Sequence, residues 1–119
     1  MKRTFGGNQK VRNLLNALTR EFEILEMKKD ESITYYFARV MIVSNKMRSN
    51  GEDMSDKKIV EKIMRTLTEK FTSVVVFIEE SKDTNNMSID ELQSSLVVHE
   101  QKFRRSSING EEQVLKVEE

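Results

Sequence analysis

Not one of the chain's 119 residues is proline and only four are glycine. Little in it can break a helix apart from short polar stretches. Glu, Lys, Arg, Met and Leu, all good helix formers, are frequent. These features together predict an all-α protein before any pattern is read. A chain of this length makes one domain, or one domain and a tail. With 37% apolar and 34% charged residues, it folds only if its apolar side chains keep to strict faces.

Such faces recur along the chain. Residues 1–8 show little periodicity and are expected to be a flexible N-terminus. From Asn8, a candidate N-cap, the residues Val11, Leu14, Leu15, Leu18, Phe22 and Leu25 recur at spacings of three and four. They predict a first helix to about residue 27. Ser32 is the expected cap of a second helix, with Ile33, Tyr36, Phe37, Val40, Val43 or Ser44, and Met47 inward. Asn50 or Gly51 then takes the left-handed conformation that ends a helix. Ser55 caps a third helix built on Ile59, Val60, Ile63, Met64 and Leu67.

Residues 71–80 have strand propensity at Val74-Val75-Val76-Phe77-Ile78 but no partner strand in view. They are read as a fourth helix, followed by a loop over residues 81–86. Ser88 and Glu91 form a Ser-x-x-Glu capping box. It opens a fifth helix with Ile89, Leu92, Leu96, His99 and Phe103 inward and Arg104-Arg105 at its C-terminal end. Residues 106–119 read as a polar tail. The domain proper is therefore expected over residues 9–105, as a small bundle of about five helices.

Chemistry finds little support. Without cysteine there is no disulfide, thiolate metal site or thiol nucleophile. The one histidine, His99, has no marked nucleophile beside it and reads as a residue at the edge of the core. The pairs Asp30-Glu31, Glu52-Asp53, Glu79-Glu80 and Glu111-Glu112 border helix ends and loops and read as surface charge. Gly6-Gly7 lacks the strand and the Lys-Ser/Thr of a phosphate loop. The longest apolar run, residues 74–78, cannot span a membrane. An enzyme, a resident cofactor, a small-molecule substrate and a membrane span are therefore not expected, and a reducing, cytoplasmic setting is.

The net charge is zero, where a dedicated nucleic-acid binder is usually basic. Lys2, Arg3, Lys10 and Arg12 at one end, and Lys102, Arg104 and Arg105 near the other, offer at most weak, salt-sensitive contact with RNA. Residues 1–60 carry 12 Lys/Arg against 8 Asp/Glu, and residues 61–119 carry 8 against 12. That asymmetry points toward head-to-tail self-association.

One ordered set of motifs goes beyond a generic helical domain. Residues 18–39, LTREFEILEMKKDESITYYFAR, contain the spacing Met27-Lys28-x-x-Glu31-Ser32-Ile33-x-x-Tyr36-Phe37-x-Arg39. NKMRSNGE at 45–52, IVEKIMRTL at 59–67, Lys70-Phe71, IEESKD at 78–83, IDELQSSL at 89–96 and VHEQK at 98–102 follow in order. Over roughly residues 10–105 the chain resembles the Gag protein of copia-type retrotransposons. The resemblance implies a capsid-forming segment equivalent to the C-terminal capsid lobe, with the N-terminal lobe largely missing. It also implies that Glu31, Ser32, Ile33, Tyr36, Phe37, Arg39 and Val40 correspond to the retroviral major homology region and play a structural part, with Glu31 and Arg39 bonded across the turn.

By the same analogy, self-association is expected on the third helix, around Met54, Lys58, Ile59, Lys62 and Ile63, with the chain's partner being itself. An exchanged first helix is an alternative way to cover orphaned surface. A domesticated adaptor that binds another protein, or a weak RNA-binding module, are the competing functions. Two departures stand out. Glu69 replaces a proline common in the family before Lys70-Phe71, and the cysteines of the family's zinc knuckle are absent from these residues.

Overall fold

A computed structural model of the chain describes the backbone of residues 4–81 and 86–118, and side chains within residues 9–81 and 86–103. Among the described residues there are five α-helices and no strand: α1 (Thr4–Ile24), α2 (Ile33–Ser49), α3 (Asp56–Thr66), α4 (Thr72–Ser81) and α5 (Ile89–Glu118). A single 3-10 turn, Glu69–Phe71, leads into α4. The expected all-α bundle of about five helices is the observed one.

Helix α2 is the centre of the bundle and contacts α1, α3 and α5. Its predicted inward stripe is the observed one: Ile33, Tyr36, Phe37, Val40, Val43, Ser44 and Met47 are all buried. The Ser44 hydroxyl donates to the Val40 carbonyl at 2.8 Å, so the one polar member of the stripe is satisfied within its own helix. The helix starts at Ser32, whose side chain accepts from the Tyr35 amide. It ends in a Schellman arrangement, with Glu52 N–H bonding Met47 O at 2.9 Å and Gly51 N–H bonding Arg48 O at 3.0 Å. Gly51 sits at φ 94°, a left-handed conformation that a Cβ would strain.

Helix α3 begins at Ser55, which caps Lys58 N–H, and buries Ile59, Val60, Ile63 and Met64. The strand-like run from residue 74 to 78 lies in helix α4, with Ile78 buried and Val74 and Val75 packed against the core. Burial against other helices outweighs its β propensity. The predicted capping box is reciprocal in geometry. Glu91 N–H bonds Ser88 Oγ at 3.0 Å, and Ser88 N–H bonds the Glu91 carboxylate at 3.0 Å.

Four expectations need correcting. Helix α1 starts at Thr4, so it takes in residues 4–8 of the segment expected to be flexible. Gly6 and Gly7 fall in its first turns, where few intrahelical bonds are at stake. It also stops at Ile24, leaving Leu25 and Met27 to fill the core from a loop. Leu14, expected inward, is 44% exposed. Helix α5 runs through the expected polar tail to Glu118, where no proline interrupts it. Arg104-Arg105 therefore fall within the helix rather than at its end. Of the loop expected over 81–86, residues 82–85 lie outside the described residues.

Candidate functional site

The passage from Lys28 to Val40 is built as a tie between elements. The turn entering α2 is closed by the Glu31 side chain, which accepts from Lys28 N–H at 2.9 Å. Arg39, two turns into α2, reaches back and binds the same carboxylate twice, at 2.6 and 2.8 Å. Its remaining reach goes to the Glu26 carbonyl at 2.9 Å, and its guanidinium lies 5.3 Å from the centre of the Tyr36 ring. The Glu31 side chain is only 4% exposed, so of the acidic pairs expected on the surface this one has a buried member. The Arg39 hydrogen bond holds the Glu31 carboxyl below its ordinary range, against the opposing effect of burial. The same bond raises Arg39. A carboxylate so occupied and so firmly ionised suits a fixed joint rather than proton transfer.

Tyr36 extends the tie to α3. Its hydroxyl lies 2.5 Å from Thr66 Oγ1. Thr66 Oγ1 itself donates to Lys62 O at 2.7 Å, so the shared proton comes from Tyr36. Burial pushes the Tyr36 phenol up. Thr66 O in turn receives Met27 N–H at 3.0 Å. From α5, the Glu100 carboxylate accepts the Ile33 N–H at 2.9 Å, supplying a second cap to the first turn of α2. A carboxylate at that end also meets the positive pole of the helix dipole. Of the expected motif residues, Ile33, Tyr36, Phe37 and Val40 are core, Ser32 is the cap, and Glu31 and Arg39 form the clasp.

The residues expected to carry self-association lie elsewhere than on a free face. Met54, Ile59 and Ile63 are at most 4% exposed within the chain's own core. Lys62 is 5% exposed. Its ammonium donates to Glu23 O at 2.8 Å, where the last turn of α1 leaves carbonyls without helical partners. It also lies 5.5 Å from the centre of the Phe22 ring. Burial, with the Arg65 charge adding to it, lowers the Lys62 pKa. Only Lys58 of the five is exposed. In this fold the set joins α3 to the rest of the chain and offers no apolar surface to a neighbour.

Sequence reasoning missed a different surface. Between α4 and α5 lies a groove of about 580 Å³, lined by Val74, Phe77, Ile78, Val98 and His99 among others. Phe77 is 61% exposed and Val98 53%. At its floor His99 packs edge-on to Phe103, with ring centres 4.6 Å apart, and tilted against Phe71 at 6.0 Å. His99 Nε2 is buried without a hydrogen-bond partner. The signal was present in the five-residue apolar run at 74–78, which has more apolar side chains than one helix face can bury.

Among the described residues, no helix is long and apolar enough to cross a membrane, and no cluster of three or more His, Asp or Glu could hold a metal ion. Comparison with curated proteins and with solved structures finds no match. Comparison with protein families does: the pattern described as the gag-polypeptide of LTR copia-type matches residues 1–109. That span takes in the Glu31–Arg39 clasp, the Ser88 capping box and all the core helices, and so this chain belongs to the copia-type LTR retrotransposon Gag family.

Proposed function

We propose that the chain is a structural, capsid-like Gag segment, equivalent to the C-terminal capsid lobe, that self-associates through helix–helix contacts and contributes to a cytoplasmic virus-like particle. The observation that carries this reading is the exposed apolar wall of the α4–α5 groove. Phe77 and Val98, which line it, are 61% and 53% exposed, in a chain of which 34% is charged. A contiguous apolar patch on such a surface marks an interaction site. The clasp at Glu31 and Arg39 supports the same reading, because with the Tyr36–Thr66 and Glu100–Ile33 bonds it fixes the start of α2 against α3 and α5 and leaves a rigid unit that can pack in register. Family membership supports an assembly role over catalysis.

Phe77→Asp tests the proposal. It introduces a charge at a position already exposed, so the helical circular dichroism spectrum and the melting temperature should stay close to those of the wild type. At a concentration where the wild type exceeds its monomer mass of 13.9 kDa, the variant should remain nearer to it by light scattering. A variant that associates as strongly as the wild type would remove the groove from the assembly surface.

A further inference from the structure

The first half of α1 is basic, and acidic side chains stand beyond one end of the α4–α5 groove. Residues 1–20 carry five Lys/Arg and no Asp/Glu, whereas residues 69–100 carry seven Asp/Glu against two Lys. Three of these acidic side chains stand just beyond the groove, at the end nearest the α4–α5 connection, while Lys102 lines the groove itself. Glu80 follows Phe77 by three residues on α4, and Asp90 and Glu91 precede Ser94 by four and three on α5. Helical spacing puts them one turn beyond groove-lining positions, and all three are exposed. On α1, Leu14 is 44% exposed and Val11 is only half-buried. Lys10 and Arg12 are exposed beside them. The later part of α1 is engaged in the chain's own core through Leu18 and Phe22. The first part therefore offers a basic helix with an apolar side that its own chain leaves partly uncovered.

We propose that the α4–α5 groove receives the first half of α1 from a second copy of this chain, in a head-to-tail contact. The proposal rests on the self-association reading above and deepens it by naming both halves of the interface. The two halves are different surfaces, so the contact is heterologous. Each molecule uses its α1 on one neighbour and its groove on another, and the contact propagates into a chain or closed ring instead of stopping at a symmetric dimer. Helix-in-groove docking with an apolar centre and a charged rim is an established recognition mode, and opposite charges on the two rims fix the direction in which the copies meet.

Two variants at exposed positions test this. Leu14→Asp spoils the inserted helix and keeps the groove; Val98→Asp spoils the groove and keeps the helix. Circular dichroism verifies that each is folded. By light scattering after size exclusion, each alone should be a monomer where the wild type is larger. Their equimolar mixture should give a species of twice the monomer mass that dissociates as ionic strength rises, because one intact helix then meets one intact groove. Persistence of wild-type association in either variant alone overturns this interface and leaves self-association standing. So does a mixture that stays monomeric. A wild type that is monomeric at every concentration overturns both, and leaves the groove to another segment or another protein.

Discussion

Ile59→Asp and Ile63→Asp are each expected to leave the chain unfolded at room temperature, while Lys58→Asp on the same helix leaves the melting temperature nearly unchanged. Both isoleucines are 0% exposed. Removing one such side chain costs about 2–5 kcal/mol in lost contacts and residual cavity. Leaving an unpaired carboxylate in its place adds several kcal/mol more, or forces the group to take up a proton. A domain of this size has a total stability of only about 5–15 kcal/mol, so the sum consumes most or all of it. Lys58 is exposed, and a surface substitution there stays within about 0.5 kcal/mol. Far-ultraviolet circular dichroism with a denaturant titration separates the outcomes. A folded Ile63→Asp chain would mean that this side of the helix is not held in the chain's own core.

Arg39→Ala is expected to cost about 3 kcal/mol, the lower end of what breaking a buried pair costs, because the Arg39 side chain itself is 24% exposed. The loss has three parts: both bonds to Glu31, the bond to the Glu26 carbonyl, and the stacking on Tyr36. Arg39→Lys should recover only part of it, since an ammonium cannot reproduce the two-pronged geometry. The clasp also has a pH signature. The folded pKa of Glu31 lies below its ordinary value of 4.5, chiefly through the Arg39 hydrogen bond. Its stabilisation is therefore complete above that ordinary value and is lost as the pH falls through the lower folded one. The stability difference between the wild type and Glu31→Gln should accordingly shrink as the solution is acidified from neutrality, measured by denaturant midpoints at a series of pH values. A difference that is constant or grows in acid would show that the carboxylate is not held ionised by Arg39.

What was legible in the sequence was what neighbours in the chain decide. The inward stripe of α2, the caps at Ser32 and Ser55, the Gly51 terminus and the reciprocal box at Ser88 and Glu91 depend on residues within a few positions of one another. Spacing and residue type express them directly. The Glu31–Arg39 clasp was legible for a similar reason and through the family resemblance, with the partners only eight positions apart. Contacts made across the fold were not legible. Nothing near Glu100 marks it as a cap for Ile33, 67 residues away. Lys62 reads as a solvated rim lysine because its partner is a backbone carbonyl 39 residues back, and a carbonyl carries no sequence signature. The burial of the candidate self-association residues was hidden on the same ground. Ile59 and Ile63 are as apolar as an interface needs, and only tertiary packing decides whether the chain's own core or a neighbour covers them. The α4–α5 groove arises conversely, where a short helix with five consecutive apolar residues can bury only one side.

On the proposed reading, the core of this Gag-family chain is self-contained and the α4–α5 groove receives another copy. The most direct test of that reading is the weight-average mass of the wild-type chain in sedimentation equilibrium across a wide range of concentration. The mass is expected to start at 13.9 kDa and to climb with concentration past the dimer, less steeply as ionic strength rises. A mass that stays at the monomer value throughout would contradict the reading.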